Sequence, residues 1–400
     1  MRAAVGRKRA VTTEAPRYAV RAPDVTIEEA VSPAARDVFV RFQLDHYKGD
    51  PFFIAPIVAE RRDFLDPKRN PFFEHAHVSY LLARRGGKLV GRIAVVHDAR
   101  YNAYHRANTG TFGMFECVND AGVAASLFDA ALIWLRSRGI KQVMGPLNLA
   151  FHHECGLLVD GFDKPPSMSM PYNPRYYGPL IEACGFSKLK DLFSFELHSS
   201  QGLPEKVARL AERTRASGAV SIRRIDTRDP MGEFRRIKSV FDSMLTPQFG
   251  FVPLSEAELE DLVNRFRALI VLRSDMCLIA EVQGEPVAFC LTVPDAYLAL
   301  KEAHGFLSTF GLPIGLAKVL WATRKLDRLR VLIFGIRPGF RRRGIDALLT
   351  QETVQRAKAL GYHSAEMGWV SEDDRLVIRA VQATGAKRIK TYRLYQRAVD

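Results

Sequence analysis

The sequence predicts an α/β (α+β) protein made of two tandem lobes that share one order of elements. Three observations lead to this prediction. A strand followed by a helix occurs twice, a hairpin with a glycine turn follows both times, and later glycines recur at equal spacings in the two halves. A chain of 400 residues is also long enough to form two cores.

The first elements of each half are a short apolar strand, an amphipathic helix and a hairpin. In the first half they span 25–27, 34–47, 78–83 and 90–96. In the second half they span 221–225, 231–244, 276–281 and 287–293. The hairpins predict that each lobe contains antiparallel strand pairs.

The remaining elements follow a glycine spacing that is the same in both halves. Gly122 lies ten residues after Phe112, and Gly344 lies ten residues after Phe334. An amphipathic helix follows each of these glycines, at 123–138 and 345–360. Each half then closes with a helix and a strand separated by a glycine, at 174–184 with 188–197 and at 375–384 with 388–397.

The repeat divides the chain into four parts. We expect a disordered basic tail at 1–22, an N-terminal lobe at 23–199, a linker helix within 200–219 and a C-terminal lobe at 220–400. The tail lacks the apolar segment of a secretory signal.

The two halves differ in the loop before the glycine-led helix. The second half has Arg341-Arg342-Arg343 where the first half has Asn119-Asp120-Ala121. Free N–H groups at a helix start, together with guanidinium groups, favour a bound pyrophosphate. The C-terminal lobe is therefore predicted to hold a nucleotide cofactor. The N-terminal lobe is predicted to be a degenerate partner that shapes the substrate site.

Charge and cysteine usage narrow the function classes. The formal net charge of +14 predicts anionic partners, namely a nucleotide cofactor, a nucleic acid or a lipid surface. No nucleic-acid-binding motif is present, so we do not expect a nucleic-acid partner. The five cysteines contain no C-x-x-C pair, which argues against a disulfide framework or structural zinc and favours a reducing cytosol.

The loop around Arg341 and Gly344, with its preceding strand and following helix, resembles the GNAT superfamily of acyl-CoA-dependent N-acyltransferases. The family signature is Q/R-x-x-G-x-G/A after a strand, and the order of elements in both halves resembles the family as well. The resemblance implies two tandem GNAT-like lobes, each a mixed, mostly antiparallel twisted sheet flanked by helices.

Two positions depart from the pattern. Asp346 replaces the second Gly or Ala, and Val381 stands where many members have a Tyr that protonates the leaving thiolate.

The resemblance implies acetyl-CoA or a longer acyl-CoA as co-substrate, and no metal. The expected cofactor-binding residues are Gly335, Ile336, Arg337, Arg341, Arg342, Arg343, Gly344, Ile345, Asp346 and Ala347. Backbone N–H groups of Gly335, Ile336 or Arg337 are expected to hold the oxyanion that forms on the thioester carbonyl.

The reaction also needs groups that move protons. Glu366 and Asp295 are candidates for the general base, because both lie at or near strands that face the expected cleft. The alternatives are a solvated strand residue for Glu366 and a turn residue for Asp295. Tyr395, with Tyr392, offers the nearest aromatic hydroxyl in sequence for the leaving thiolate.

Three polar residues of the first half, Asn148, Glu154 and Tyr172, are expected to line the substrate side of the cleft. The neighbouring pair His152-His153 does not predict a metal site. Adjacent strand residues face opposite ways, and no third ligand has a defined spacing.

One segment has no counterpart in a minimal GNAT lobe. Residues 305–321 are apolar, are interrupted by Gly and Pro, and are followed by Arg324 and Lys325. This composition is typical of an element that lies at a lipid surface. Packing of the segment against the other lobe is the favoured interpretation.

We therefore expect an acyl-CoA-dependent N-acyltransferase that acylates an amine, in a sharper version a lipid amine, as in the GNAT-like bacterial ceramide synthases. The alternatives are a non-catalytic acyl-CoA sensor and a Fem-like aminoacyl transferase. The expected location is the cytoplasm, with or without peripheral contact to an anionic inner membrane. The acceptor, the acyl length and the oligomeric state stay open.

Overall fold

The fold is known from a computed structural model that describes residues 21–245, 249–308 and 311–399. All but the last two residues of the predicted tail lie outside these described residues.

The first half contains nine strands and five α-helices within the described residues. The strands are β1 (Val25–Glu29), β2 (Ala76–Arg85), β3 (Lys88–Asp98), β4 (Thr109–Cys117), β5 (Gln142–Gly145), β6 (Leu147–Asn148), β7 (Glu154–Cys155), β8 (Leu157–Asp160) and β9 (Ser187–His198). The helices are α1 (Pro33–His46), α2 (Val58–Phe64), α3 (Ala99–His105), α4 (Ala121–Arg136) and α5 (Tyr177–Ala183).

The second half follows a connecting helix, α6 (Glu205–Ala216). Its strands are β10 (Ser221–Arg224), β11 (Cys277–Val282), β12 (Glu285–Pro294), β13 (Arg328–Ile336), β14 (Ser364–Ser371) and β15 (Lys387–Ala398). Its helices are α7 (Pro230–Leu245), α8 (Glu256–Leu272), α9 (Tyr297–Leu300), α10 (Ile314–Ala322), α11 (Ile345–Ala359) and α12 (Arg375–Ala383). Of these, α8 was not predicted, although Ser255 and Glu258 form a capping box at its start.

One mixed sheet runs through both halves. Thirteen of the described strands form it, in the order β1-β2-β3-β4-β5-β15-β9-β14-β13-β12-β11-β10, with β8 paired beside β15. All neighbouring pairs are antiparallel except β4 with β5 and β13 with β14. The predicted mixed, mostly antiparallel sheet is confirmed.

The last strand of each half pairs with the other half. β15 lies between β5 and β9, and β9 pairs on its other side with β14. The repeat in the sequence did not predict this exchange, because the period of a repeat does not say which copy a strand pairs with. Because of the exchange, β9 and β15 each have a neighbouring strand on both sides, so neither is an edge strand. The division into lobes at 23–199 and 220–400 stays a prediction.

Each half has its own apolar core. In the first, α4 packs on the sheet, and Phe112 and Phe128 meet edge to face with ring centroids 5.1 Å apart. In the second, α7 and α8 pack on one face of β12 and β13, around Ile237 and Phe289. The cores leave a space between the halves that the next section describes.

The segment 305–321 only partly meets the favoured expectation of packing. In its described part, Val319 is buried against Ile57, Ala299 and Ala303. Seven large apolar side chains of the segment are exposed, however: Phe306, Leu307, Leu312, Ile314, Leu316, Leu320 and Trp321. No helix within the described ranges is both long and apolar enough to cross a bilayer.

A charged contact joins the first half to α8. His75 places Nδ1 at 3.0 Å from Asp98 and Nε2 at 3.0 Å from Glu258. Burial alone would lower the pKa of His75, but its hydrogen bonds to the two carboxylates outweigh burial and raise the pKa to about 9. The imidazolium is therefore the stable form at this junction at neutral pH.

This contact predicts a pH-dependent stability. Because the folded-state pKa is raised, the stabilisation is complete below the unfolded pKa of about 6.5 and is lost as the pH rises through about 9. We expect a loss of about 2–3 kcal/mol over this range. In urea unfolding, the wild type should have a higher free energy of unfolding than His75→Gln at low pH. This difference should become smaller as the pH rises through about 9. His77→Gln, an exposed histidine on β2, serves as the control and should leave the pH dependence unchanged. A wild type and a His75→Gln variant with the same pH dependence would contradict the assignment.

Candidate active site

A fork between two parallel strands lies at the centre of the second half. β13 and β14 pair only from Arg328 with Ser364 to Val331 with Met367. Beyond that point β14 stays with β9, while β13 stays with β12 as far as Ile336. The backbone of β13 after Val331 is therefore not covered by a neighbouring strand on the fork side.

The basic loop and the start of α11 lie next to the fork. The N-cap of α11 is Gly344, which has φ 78° and supplies no side-chain cap to the first N–H groups of the helix. A Cβ at this position would lie 2.2 Å from Thr214 Oγ1 of α6, so the packing of α6 also requires a glycine. Arg341 and Arg342 are exposed beside this helix start.

The matching fork in the first half is closed. β4 and β5 separate after Thr111 and Met144, but β6 fills the gap. The Oδ1 atom of Asn148 accepts a hydrogen bond from the N–H of Met114 at 2.7 Å. A Cβ on Gly113 would lie only 1.8 Å from the carbonyl oxygen of Leu147.

The first helix start is closed as well. Asp120 caps α4, and its carboxylate accepts hydrogen bonds from the N–H groups of Gly122 at 2.8 Å and Val123 at 3.1 Å. The side chain thus occupies the place where an anion would bind, and its own charge would repel one. These contacts give a physical basis for the predicted difference between the halves.

A cavity of 1270 Å³ joins the open fork to the space between the halves. Arg341, Arg342 and Asp346 line one end of it. Ile336 and Val381 line it near the fork, so the position of the missing Tyr faces the cavity. Much of the remaining wall is apolar and comes from α7 and α8: Phe234, Ile237, Phe241, Leu259, Leu262 and Phe266.

The expected cofactor-binding residues divide into two groups. Five line the cavity: Ile336, Arg341, Arg342, Asp346 and Ala347. The other five, Gly335, Arg337, Arg343, Gly344 and Ile345, are not part of its wall. Arg337 cannot act as an oxyanion donor through its backbone, because its N–H donates to the carbonyl of Val287 at 2.8 Å. Alternation along the strand then points the N–H of Ile336 toward the fork.

The two carboxylates expected to act as bases lie together but outside the cavity wall. Glu366 and Asp295 are both completely buried. Ser167 Oγ lies 2.6 Å from Glu366 Oε2 and 2.9 Å from Asp295 Oδ2 and can donate its one hydroxyl proton to either. Glu366 also accepts from Ser194 and Lys390, and Asp295 also accepts from the N–H of Met168 and from Arg328. Their oxygens are already committed within the protein.

The electrostatics of Glu366 argue against the predicted role. Burial raises its pKa, but the charges of Lys390 and Arg330 outweigh burial and lower the pKa to about 2. A carboxylate that is buried, ion-paired and outside the cavity wall is poorly placed to accept the proton of an amine. We therefore propose that Glu366 and Asp295 are parts of a buried charged cluster and not the bases.

The expected proton donor lies elsewhere. Tyr395 is buried in the core of the first half, where β15 crosses to pair with β5. Its hydroxyl donates to Glu182 at 3.0 Å, and burial raises its pKa above the ordinary value. The strand exchange thus removes Tyr395 from the fork, and the structure does not bring it together with Glu366 and Asp295.

The three expected substrate residues lie together in a second cavity of 80 Å³. Asn148 Nδ2 donates to Glu154 at 2.6 Å, and Tyr172 donates to Asp50 at 2.9 Å. Arg61 pairs with Glu154. This cavity belongs to the first half and is distinct from the fork, although Tyr297 of the second half closes one side.

Some residues at the site were not singled out from the sequence. Arg330 is buried at the vertex of the fork, donates to the carbonyl of Gly368 at 2.7 Å and lines the large cavity. Trp369 and Ser169 line the same cavity, and so does His152, one of the two adjacent histidines already noted in the sequence. The charge of Arg330 within an apolar strand was an available signal. The described residues contain no group of three or more His, Cys, Asp or Glu side chains that could hold a metal ion.

Comparisons of sequence identify relatives over nearly the whole chain. The bacterial ceramide synthase of Caulobacter vibrioides is 32% identical over 383 residues, which cover 94% of this chain and 98% of that protein. Protein YghO of Escherichia coli is 32% identical over 368 residues, covering 90% of this chain and 92% of that protein. No profile of a known protein family matches the chain.

Comparisons of structure identify the fold. A tandem GNAT protein from the clavulanic acid biosynthesis pathway superposes with a TM-score of 0.54 at 11% identity, over 94% of this chain and 99% of the other. A GCN5-related N-acetyltransferase from Sphaerobacter thermophilus superposes with a TM-score of 0.52 at 15% identity, over 95% and 97%. The predicted tandem GNAT fold is confirmed, and the chain belongs to the family of the bacterial ceramide synthase, on the scaffold of the tandem-lobe GNAT acyltransferases.

Proposed function

We propose that this protein transfers a long acyl chain from acyl-CoA to the amine of a lipid. The observation that carries the proposal is the continuity of one cavity from the arginine loop, past the open fork, to the apolar walls of α7 and α8. Its volume of 1270 Å³ exceeds the range of about 300–1,000 Å³ found for drug-sized ligands.

Each end of the cavity suits one part of an acyl-CoA. Arg341 and Arg342 with the uncapped start of α11 suit the phosphates. The uncovered backbone of β13 suits the amide groups of the pantetheine arm, and the N–H of Ile336 suits the thioester oxyanion. The apolar walls suit the acyl chain, because burial of each CH₂ group is worth about 0.8 kcal/mol.

The acceptor is inferred from the relative. A ceramide contains an amide between a fatty acyl group and a long-chain amino alcohol, and the related protein from Caulobacter vibrioides is named a ceramide synthase. We therefore propose a long-chain amino alcohol as acceptor.

Incubation with acyl-CoAs and amines of different chain lengths tests this acceptor. The amides are detected by mass spectrometry, and the released thiol is titrated. Binding of acyl-CoA without any amide product would support a sensor instead.

The loop assignment predicts a loss of CoA affinity on charge reversal. We expect Arg341→Glu with Arg342→Glu to weaken CoA binding about 100-fold or more in calorimetry at low salt, because two attractive pairs become repulsive. Lys68→Glu with Arg69→Glu makes the same change in net charge at an exposed site of the first half and should have little effect. Equal losses in both double variants would show a general charge effect and not a site.

The cavity assignment predicts a change in acyl-length preference. Leu262 lines the cavity from α8, whereas Ala268 on the same helix is exposed. We expect Leu262→Trp to lower kcat/KM for a sixteen-carbon acyl-CoA about 10-fold or more, with less than a 3-fold change for a four-carbon one, because the indole fills space along the chain. Ala268→Trp should leave both values unchanged. Equal losses for both lengths in Leu262→Trp would remove the acyl chain from this cavity.

We further propose that the protein contacts an anionic membrane through an apolar patch around α10. The patch consists of Phe306, Leu307, Leu312, Ile314, Leu316, Leu320 and Trp321, and the exposed fraction of Leu320 is 59%. The ammonium of Lys325 lies 3.9 Å from the ring centroid of Trp321. The charged residues between 303 and 326 are basic, with no Asp or Glu in that stretch of the sequence. An apolar face with basic neighbours suits an anionic lipid surface, where each Lys or Arg adds about 1 kcal/mol.

This proposal predicts a binding difference between two pairs of exposed apolar residues. Leu320→Ser with Trp321→Ser should reduce co-sedimentation with vesicles that contain phosphatidylglycerol about 10-fold, because the inserted apolar area is lost. Val271→Ser with Leu272→Ser, an exposed pair on α8, should bind like the wild type. Equal binding to neutral phosphatidylcholine vesicles, or no effect of the α10 substitutions, would contradict the proposal.

A further inference from the structure

Amide formation from an amine and a thioester needs a group that accepts the amine proton, and the fork leaves this role open. Glu366 and Asp295 are committed to other partners and do not line the cavity. Six side chains that accept protons do line it: His152, His153, Asp242, Asp346, Tyr362 and Asp374.

Three members of this set, Asp242, Asp374 and Tyr362, already have hydrogen-bond partners. Asp242 accepts a hydrogen bond from Lys238 at 2.5 Å, and Asp374 caps α12 by accepting from the N–H of Val377 at 3.1 Å. Asp346 lies in the first turn of α11, beside the arginine loop. The hydroxyl of Tyr362 accepts from Arg273 at 3.1 Å.

The two imidazoles differ in their surroundings. The ring of His153 is held edge-on against Phe64 and Phe72, and its Nδ1 is sealed from solvent without a partner among the described residues. His152 makes no hydrogen bond with any described residue, and neither of its ring nitrogens is sealed in this way. His152 is therefore the imidazole that makes no hydrogen bond within the described part of the chain and has both ring nitrogens unsealed.

We infer that His152, contributed by the first half, is the general base for acyl transfer on the second half. The inference rests on the proposed function. The amine nitrogen attacks the thioester carbon, and one N–H proton passes to a ring nitrogen of His152 as the C–N bond forms. The C–S bond then breaks, the thiolate of CoA leaves, and the proton on His152 passes to it. An amide and free CoA are the products, and His152 returns to its neutral form.

The surroundings of His152 suit this cycle. Burial lowers the pKa of His152 to about 4, so the ring is neutral at physiological pH. Glu258 and Asp98 oppose burial, whereas Arg265 and His75 lower the pKa further, and the neighbouring His153 is neutral. The buried carboxylate of Glu258 is thus placed to stabilise the imidazolium when it forms.

A third cavity, smaller than the two described above, gives the imidazolium polar neighbours. His152 also lines a space of 50 Å³, together with His75, Asp98, Arg100 and Glu258. A volume of this size has room for water. The small cavity therefore places polar and charged groups beside the ring that carries the proton during the reaction.

The test is the rate of amide formation by His152→Ala under saturating acyl-CoA. We expect kcat to fall about 10²- to 10⁴-fold, with acyl-CoA affinity in calorimetry and the melting temperature close to those of the wild type. His77→Gln, the exposed histidine on β2, should retain full activity. Because His152→Ala opens a small space, added imidazole should restore part of the rate.

A series of substituted imidazoles sharpens the result. If His152 is the base, the rescued rate should rise with the pKa of the added imidazole, since a stronger base lowers the barrier to proton transfer. Wild-type kcat in His152→Ala, or rescue that is independent of the pKa of the imidazole, would overturn the inference. Failure of the wild type to make any amide would refute the proposed function instead, so the two failures are distinguishable.

Discussion

The ion pair between Lys390 and Glu366 is the contact on which the arrangement of the two halves depends. Both residues are completely buried, and Lys390 reaches Glu366 at 3.2 Å from β15, the strand that crosses between the halves. Breaking a buried pair by removing one partner typically costs about 3–5 kcal/mol, because the other charge is left unpaired in a medium of low dielectric constant. β15 can therefore take its place between β5 and β9 only with this register, since a shift of one residue would turn Lys390 to the other face. The pair fixes the centre of the sheet, and the centre of the sheet fixes the distance between the two forks.

The two forks show how one scaffold has acquired two roles. Both halves contain a pair of parallel strands that separate toward a helix start. In the first half, Asn148 fills the gap and Asp120 neutralises the helix start, so each polar group that a cofactor would use is already satisfied within the chain. In the second half the gap and the helix start lack such side chains, and the exposed arginines supply charge. The repeated fold is thus retained where it supports the sheet, and its binding capacity is lost in one half through short contacts made by local residues.

The sequence was sufficient for the repeated elements, but not for α8 or for the pairing of the last strands. Periodicity and glycine spacing are local properties, and they placed α11 close to its observed bounds. The partner of β15 depends on contacts between residues more than two hundred positions apart, such as Tyr395 with Gly145. The buried cluster around Glu366 could not be predicted for a similar reason, because Ser167 and Ser194 reach Glu366 from the first half. His152 was visible in the sequence only as one of two adjacent histidines, and nothing local distinguishes the ring that opens to a cavity from the ring that packs on Phe64.

A cofactor site on one half and a base on the other would make the reaction depend on the junction between them. The carbonyl carbon of the acyl group would be positioned by β13, and the proton acceptor by the turn between β6 and β7 of the first half. Proton transfer requires heavy atoms within about 3 Å, so even a small sliding of one half against the other would separate base from amine. A linker alone does not hold such a distance, whereas strands exchanged through a common sheet and locked by a buried ion pair do. On this view the exchange of β9 and β15 is part of the chemistry, because it turns two lobes into one rigid frame around the space where acyl group and amine meet.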